Sequence, residues 1–353
     1  MKMDFLPRST LKITTLALAV AAASLSTTAV MASECQLNDA NATTILGATS
    51  NVKMALACGN AAMAGGTNDT VAVGSQAKAG MNSATAVGGQ ANAAGLGSTS
   101  IGWQSKATAE RAQAFGHLAD ASGVRATAVG EAAMAGGSND TVAVGNQAKA
   151  SMNSATAVGG QANAAGLGST SIGWQSKATA ERAQAFGHLA DASGVRATAV
   201  GEAAMAGGSN DTVAIGNQAK AGMNSATAVG GQANSAGLGS TSIGWQSKAT
   251  GERAQAFGHL ADASGMRATA VGEAAMAKGE SSVAIGNMAM AGGLNSIAIG
   301  NSTKAANRNQ VVLGNAGQVN ASTASQMGTV KIVTIDENGT LGTMMVDYYK
   351  SAQ

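Results

Sequence analysis

Proline occurs once among 353 residues, aromatic side chains make up 3%, and cysteine and histidine appear two and three times. The near-absence of proline removes a collagen-like reading, and the 48 glycines follow no Gly-X-Y triplet. No block of like charge exists. The 21 basic and 19 acidic residues are scattered singly, so nothing tracks a phosphate backbone and nucleic acid is excluded as a partner. The long apolar stretch, residues 13–25, is too short and too rich in serine and threonine for a bilayer span. What the chain does have is 45% apolar residues recurring on a fixed period, which separates it from disordered sequences.

Residues 1–32 read as a secretory signal. Lys2, Arg8 and Lys12 supply a positive start, the stretch from Ile13 to Leu25 is apolar, and Val30-Met31-Ala32 offers small-residue cleavage. Glu34 before Cys35 does not fit a lipoprotein signal. Residues 33–58 follow as an N-terminal cap bracketed by the only two cysteines, Cys35 and Cys58. In an oxidising compartment such a pair closes a disulfide; two free thiols are the alternative.

Two nested periods organise the rest. The longer is 71 residues, which makes Trp103, Trp174 and Trp245 equivalent, and likewise Phe115, Phe186 and Phe257. The shorter is 14, marked by an apolar residue before glycine at Val73-Gly74, Val87-Gly88, Ile101-Gly102, Phe115-Gly116 and Val129-Gly130. The step to Val144-Gly145 takes 15, and the extra residue falls among Gly136, Gly137, Ser138, Asn139 and Asp140, where turn formers absorb it. The pattern runs for about nineteen turns between Cys58-Gly59 and Leu313-Gly314.

Each period holds two short alternating pieces, such as Thr85-Ala86-Val87 and Ala91-Asn92-Ala93. Alternation predicts strands, and the glycine after the apolar residue predicts a tight bend, so 14 residues make one coil of an all-β solenoid. Ala77 and Ala79, Ala91 and Ala93, and their equivalents form a small-residue column. Val73, Val87, Ile101 and Phe115 form another column, with Ala72, Ala86, Ser100 and Ala114 opposite. That strand carries no charge on either face, so both faces are expected to be covered. One fills the coil and the other needs a neighbour; the spacing does not say which. The apolar side chains of one coil are too few to offset the entropy of ordering it, which predicts an obligate homo-oligomer packed lengthwise.

The repeat resembles the head of YadA-like trimeric autotransporter adhesins, whose 14-residue repeat reads Asn-Ser-Val-Ala-Ile-Gly, two variable residues, then Ser. The nearest copies here are Asn295-Ser296-Ile297-Ala298-Ile299-Gly300 and Ser281-Ser282-Val283-Ala284-Ile285-Gly286, within a resemblance spanning roughly residues 56–315. It implies a left-handed parallel β-roll, a homotrimer, a cell-surface or outer-membrane location, and attachment to an extracellular matrix protein or other surface ligand. The stretch implicated in collagen binding corresponds to Asn295 to Thr303, with Asn295 and Ser296 as candidate contacts. Residues 316–353 read as a transition after the head. Val330 to Ile335 alternates, Asp336-Glu337-Asn338-Gly339 turns, and Leu341 to Val346 returns as a hairpin. Neither heptads nor membrane-barrel strands of about ten residues follow, so a released chain, a partner-held chain and a truncated product are all open.

No catalytic constellation is visible, and neither a cofactor, a metal nor a small-molecule substrate is expected. His117, His188 and His259 are the same repeat position, about 24 Å apart along five coils, and read as exposed turn residues. Asn68-Asp69, Asn139-Asp140 and Asn210-Asp211 read as turns, and Glu110-Arg111 with its copies as solvated charge. Trp103, Trp174 and Trp245 directly follow the bend glycine, either as a ladder of contact residues or as covers for a subunit seam. The rival readings are an ice-binding solenoid, whose threonine column is interrupted here by Gln113 and Val142, and a β-helical polysaccharide lyase, which lacks its acid and base cluster.

Overall fold

The computed structural model describes residues 48–50, 55–327, 331–335, 337 and 340–345. The secretory signal and Cys35, and with it the cysteine pairing, lie outside the described residues. Cys58 ends the strand Leu56–Cys58, half-buried. The chain forms two compact units, residues 1–155 and 156–353. In the first, three-residue strands from Leu56–Cys58 to Val142–Val144 alternate with two-residue strands from Thr49–Ser50 to Lys149–Ala150. The second repeats the scheme from Thr156–Val158 to Val311–Leu313.

Within each unit the coil strands pair in parallel with the equivalent strands of the neighbouring coils. Thr85, Ala86 and Val87 face Thr99, Ser100 and Ile101, and Lys78 and Ala79 face Asn92 and Ala93. In the second unit Thr170, Ser171 and Ile172 face Gln184, Ala185 and Phe186, and Lys177 and Ala178 face Asp191 and Ala192. Each unit is therefore a parallel β-solenoid of roughly 14-residue coils, with two sheets back to back.

Alternation decides what fills the narrow space between the sheets. The middle residue of each three-residue strand points inward, as do Ala91 and Ala93 around the two-residue strand, and these are buried except for Val312 in the last strand, which is partly buried. Alanine methyl groups are the core, and this settles which column fills the coil. The flanking Thr85, Val87, Thr99 and Ile101 point outward and remain partly exposed. Where serine replaces alanine its hydroxyl is satisfied locally. Ser100 Oγ lies 2.7 Å from Ser105 Oγ, Ser105 donates to the Gly102 carbonyl at 3.0 Å, and Ser98 donates to the Gly95 carbonyl at 2.8 Å.

The bend glycine is required twice over. Gly88 has φ +127°, and a Cβ there would stand 2.5 Å from the carbonyl oxygen of Gly102 in the next coil. Two residues later the chain adopts left-handed backbone without glycine, at Gln90, Gln104 and Leu118, each with φ between 54° and 58°. Such residues cost on the order of 1–3 kcal/mol each. Here the stacking fixes them, because Gln90 N–H donates to the Ser75 carbonyl at 2.8 Å and Gln104 N–H to Gly89 at 2.9 Å.

After the last coil, where the sequence predicts only a transition and a hairpin, Asn315 opens a helix, Ala316–Ala324. Its signal is the capping box Asn315-x-x-Gln318: the Asn315 side chain accepts from Gln318 N–H and the Gln318 side chain from Asn315 N–H, both at 2.9 Å. The helix buries no residue. Lys331–Ile335 and Leu341–Met345 then pair antiparallel, Ile335 opposite Leu341, in the place where the alternation predicts a hairpin.

Candidate functional site

The residue directly after each bend glycine projects from the corner of the coil, and those one coil apart stack. In the first unit this column runs Gly89, Trp103, His117, Glu131, Asn146. The Trp103 and His117 rings are 5.0 Å apart between centroids and inclined at 23°. His117 Nδ1 lies 3.6 Å from Glu131 Oε1, and Asn146 Nδ2 donates to Glu131 Oε2 at 2.9 Å. Gly89 leaves room on the other side of the indole, where a Cβ would come to 3.1 Å from Trp103 Cδ1. The second unit holds two further copies, Trp174–His188–Glu202–Asn217 and Trp245–His259–Glu273–Asn287, with the same 5.0 Å stacking.

Trp103 is thus 49% exposed yet offers no free flat face, since His117 covers one side and Gly89 lies against the other. What it presents is an edge. The histidines are exposed, as expected, and each belongs to a stacked column with a tryptophan and a glutamate. The signal was available: Trp103 and His117 are 14 residues apart, one coil period.

The neighbouring columns differ sharply between the two sheets. Outward positions of the three-residue strands carry Thr, Val, Ile, Leu, Gln and Phe, with no charged side chain from Val71 to Val144 or from Thr156 to Leu313. Outward positions of the two-residue strands instead run Lys78, Asn92, Lys106, Asp120, Met134 and Lys149 in the first unit. Beside them the left-handed glutamines form an amide ladder, in which Gln104 Nε2 donates to Gln90 Oε1 at 2.6 Å and Gln246 to Gln232 at 2.6 Å.

Asn139-Asp140 and Asn210-Asp211 sit in the longer coils as turns. Arg125 clamps Asp140 with two bonds of 2.6 Å, and Arg196 clamps Asp211 with two of 2.7 Å. The hydrogen-bonded guanidinium holds each aspartate below the usual carboxylate range, and each arginine is raised by its partner. Arg111 lies 3.8 Å from Glu110, both largely exposed. Among the described residues no group of three or more His, Cys, Asp and Glu is gathered where it could hold a metal ion.

The two candidate contacts at residues 295 and 296 part company. Asn295 is exposed, and its amide donates to Asn309 Oδ1 at 3.2 Å. Ser296 is corrected: it is fully buried, and its hydroxyl donates to the Gly293 carbonyl at 2.7 Å, closing the turn from inside. It faces the coil interior because it occupies the inward position before the three-residue strand, held by alanine, serine or threonine in the coils before it, as at Ala84, Ser98 and Thr141.

Comparison with known proteins adds the following. The family model for the YadA head domain repeat matches in overlapping copies from residues 79–105 to 277–303, covering more than half of the chain. No sequence among the curated proteins matches. Among solved structures, the collagen-binding domain of the Yersinia adhesin YadA is similar at 20% identity, covering 71% of this chain and 82% of that one, with a TM-score of 0.14.

Proposed function

Because the chain belongs to the YadA head domain repeat family, we propose that it is the head of an exported surface adhesin that works as a homotrimer. The observation that carries this reading is the division of chemistry between the two sheets. An outward face without charge, bearing half-exposed Val, Ile and Phe such as Ile101 at 39%, is suited to burial against another copy. The opposite face, with Lys, Asp, Asn and Gln, is suited to water and to ligands. Three chains joined along the uncharged face would gain the apolar burial that an alanine-filled coil lacks. The β-rolls of this trimer are taken as left-handed, following the family resemblance.

In this reading the open surface meets an extracellular matrix protein or another surface ligand. Repetition supplies strength, because the same weak surface recurs along each chain and on each of three chains. The Trp103, Trp174 and Trp245 edges and Asn295 are offered as contact residues, and the chain acts at the cell surface or after release from it.

The test coats beads with the purified protein and measures their retention on immobilised matrix proteins, beside a size measurement in solution. Trimeric protein that retains beads on at least one matrix surface supports the proposal. Trimeric protein that adheres to none contradicts it. Trp174→Ala with an intact trimer and unchanged retention removes the indole edges from the contact set.

A further inference from the structure

The adhesin reading leaves the ligand chemistry open, and the charged sheet narrows it. We propose that within each unit the outward face of the two-residue strands binds a linear anionic glycan, with Lys106 in the first unit and Lys177 and Lys248 in the second meeting acidic groups and the neighbouring glutamines meeting hydroxyls. This inference rests on the adhesin reading and deepens it.

The first observation is a separation of charge between columns. Five arginines and all three histidines lie within 4 Å of carboxylates: Arg111, Arg182 and Arg253 beside their preceding glutamates, Arg125 and Arg196 on aspartates, and each histidine beside a glutamate. The strand lysines have no such partner. Lys78, Lys106 and Lys149 in the first unit, and Lys177, Lys220, Lys248 and Lys304 in the second, are exposed and make no side-chain hydrogen bond or ion pair among the described residues. Charges that look scattered in the sequence thus resolve into columns of mostly paired groups and a strand column in which unpaired lysines alternate with Asn, Asp and Met.

The second observation is a built groove around the lysine that precedes an aspartate. In the first unit Gln90, Gln104, Lys106, Leu118 and Asp120 line a groove of about 320 Å³. In the second unit Gln246, Lys248, Leu260 and Asp262 line part of another, of about 360 Å³, extended by methionines.

These features favour a glycan over other polyanions. A chain with a phosphate at every step would set one against Asp120, whereas an acidic glycan spaces its charges with hydroxyl-bearing rings. An extended acidic peptide would seek backbone pairing, but the sheet's own N–H groups are engaged between coils, as Lys106 N–H to Ala119 shows at 2.8 Å. What the face offers is side-chain amide, ammonium and carboxylate. The coils set the spacing: Lys78 and Lys106 are two coils apart, about 9.6 Å at the usual strand separation, and Lys106 and Lys149 three coils.

The experiment uses the full chain in its native assembly, with heparin, neutral dextran and poly-glutamate as probes. Binding to heparin at low salt, loss of binding with added salt, and none to dextran are expected. The triple variant Lys106→Gln, Lys177→Gln, Lys248→Gln should weaken heparin binding at least tenfold. Arg111→Gln, Arg182→Gln, Arg253→Gln removes the same charge from another column and should change it less than twofold. No heparin binding by the unaltered protein, equal losses in the two triple variants, or poly-glutamate competing as well as heparin would each overturn the proposal. Beads that hold to matrix proteins without any heparin binding sink only this inference, whereas beads that hold to nothing sink the adhesin reading beneath it.

Discussion

At the scale of single residues, the interior of the coil is the most demanding place in the molecule. Ala114 is fully buried between two sheets separated by little more than methyl groups. Ala114→Leu must force them apart, with an expected loss of about 1–3 kcal/mol or more. Thermal unfolding of the variant checks this, and an unchanged midpoint would mean that the coil can yield. Gly88→Ala should be equally disruptive, because the added methyl meets the Gly102 carbonyl in backbone that L-residues rarely adopt. The Arg125–Asp140 and Arg196–Asp211 clamps act through pH. A carboxyl whose folded pKa is depressed stabilises the fold above its unfolded value, here ordinarily 3.8, and that contribution is lost as pH falls through the lower folded value. Asp140→Asn with Asp211→Asn should therefore melt below the unaltered protein at neutral pH by a small margin, since both pairs are exposed. The margin should close in strong acid. A margin that persists at low pH would assign the effect to the turn and not to the ion pair.

At the scale of elements, the coil was legible because its period is short and strict. Thr85-Ala86-Val87 announces a strand by alternation, and Gly88 announces the bend. Other features were hidden because they arise between coils. Trp103 and His117 become neighbours only when the solenoid stacks them, and the lysine column exists only in that register. Ser296 was misjudged for the opposite reason, since a polar residue in a surface-binding motif was read as exposed when it is an inward turn-closing hydroxyl. The helix Ala316–Ala324 has no buried face and hence little apolar periodicity to betray it; only the cap does. The stacked column makes its own prediction. Removing the imidazole in His117→Ala, His188→Ala, His259→Ala should expose one face of each indole and shift tryptophan emission to longer wavelength. No shift would show that the rings are not stacked in solution.

At the scale of the whole molecule, the division between a charged and an uncharged face ties the sequence to the function. Phe186→Asp would place a charge on the uncharged face of the second unit. It should dissociate the assembly while leaving each coil's alanine core untouched, so light scattering should report a smaller particle. Retention of the full assembly would move the interface elsewhere. The most direct test is the mass of the unaltered protein by sedimentation equilibrium across a wide concentration range. The proposed homotrimer, packed along the uncharged sheet, predicts a particle of three chains that persists on dilution. A folded single chain, stable and β-rich by itself, would contradict it.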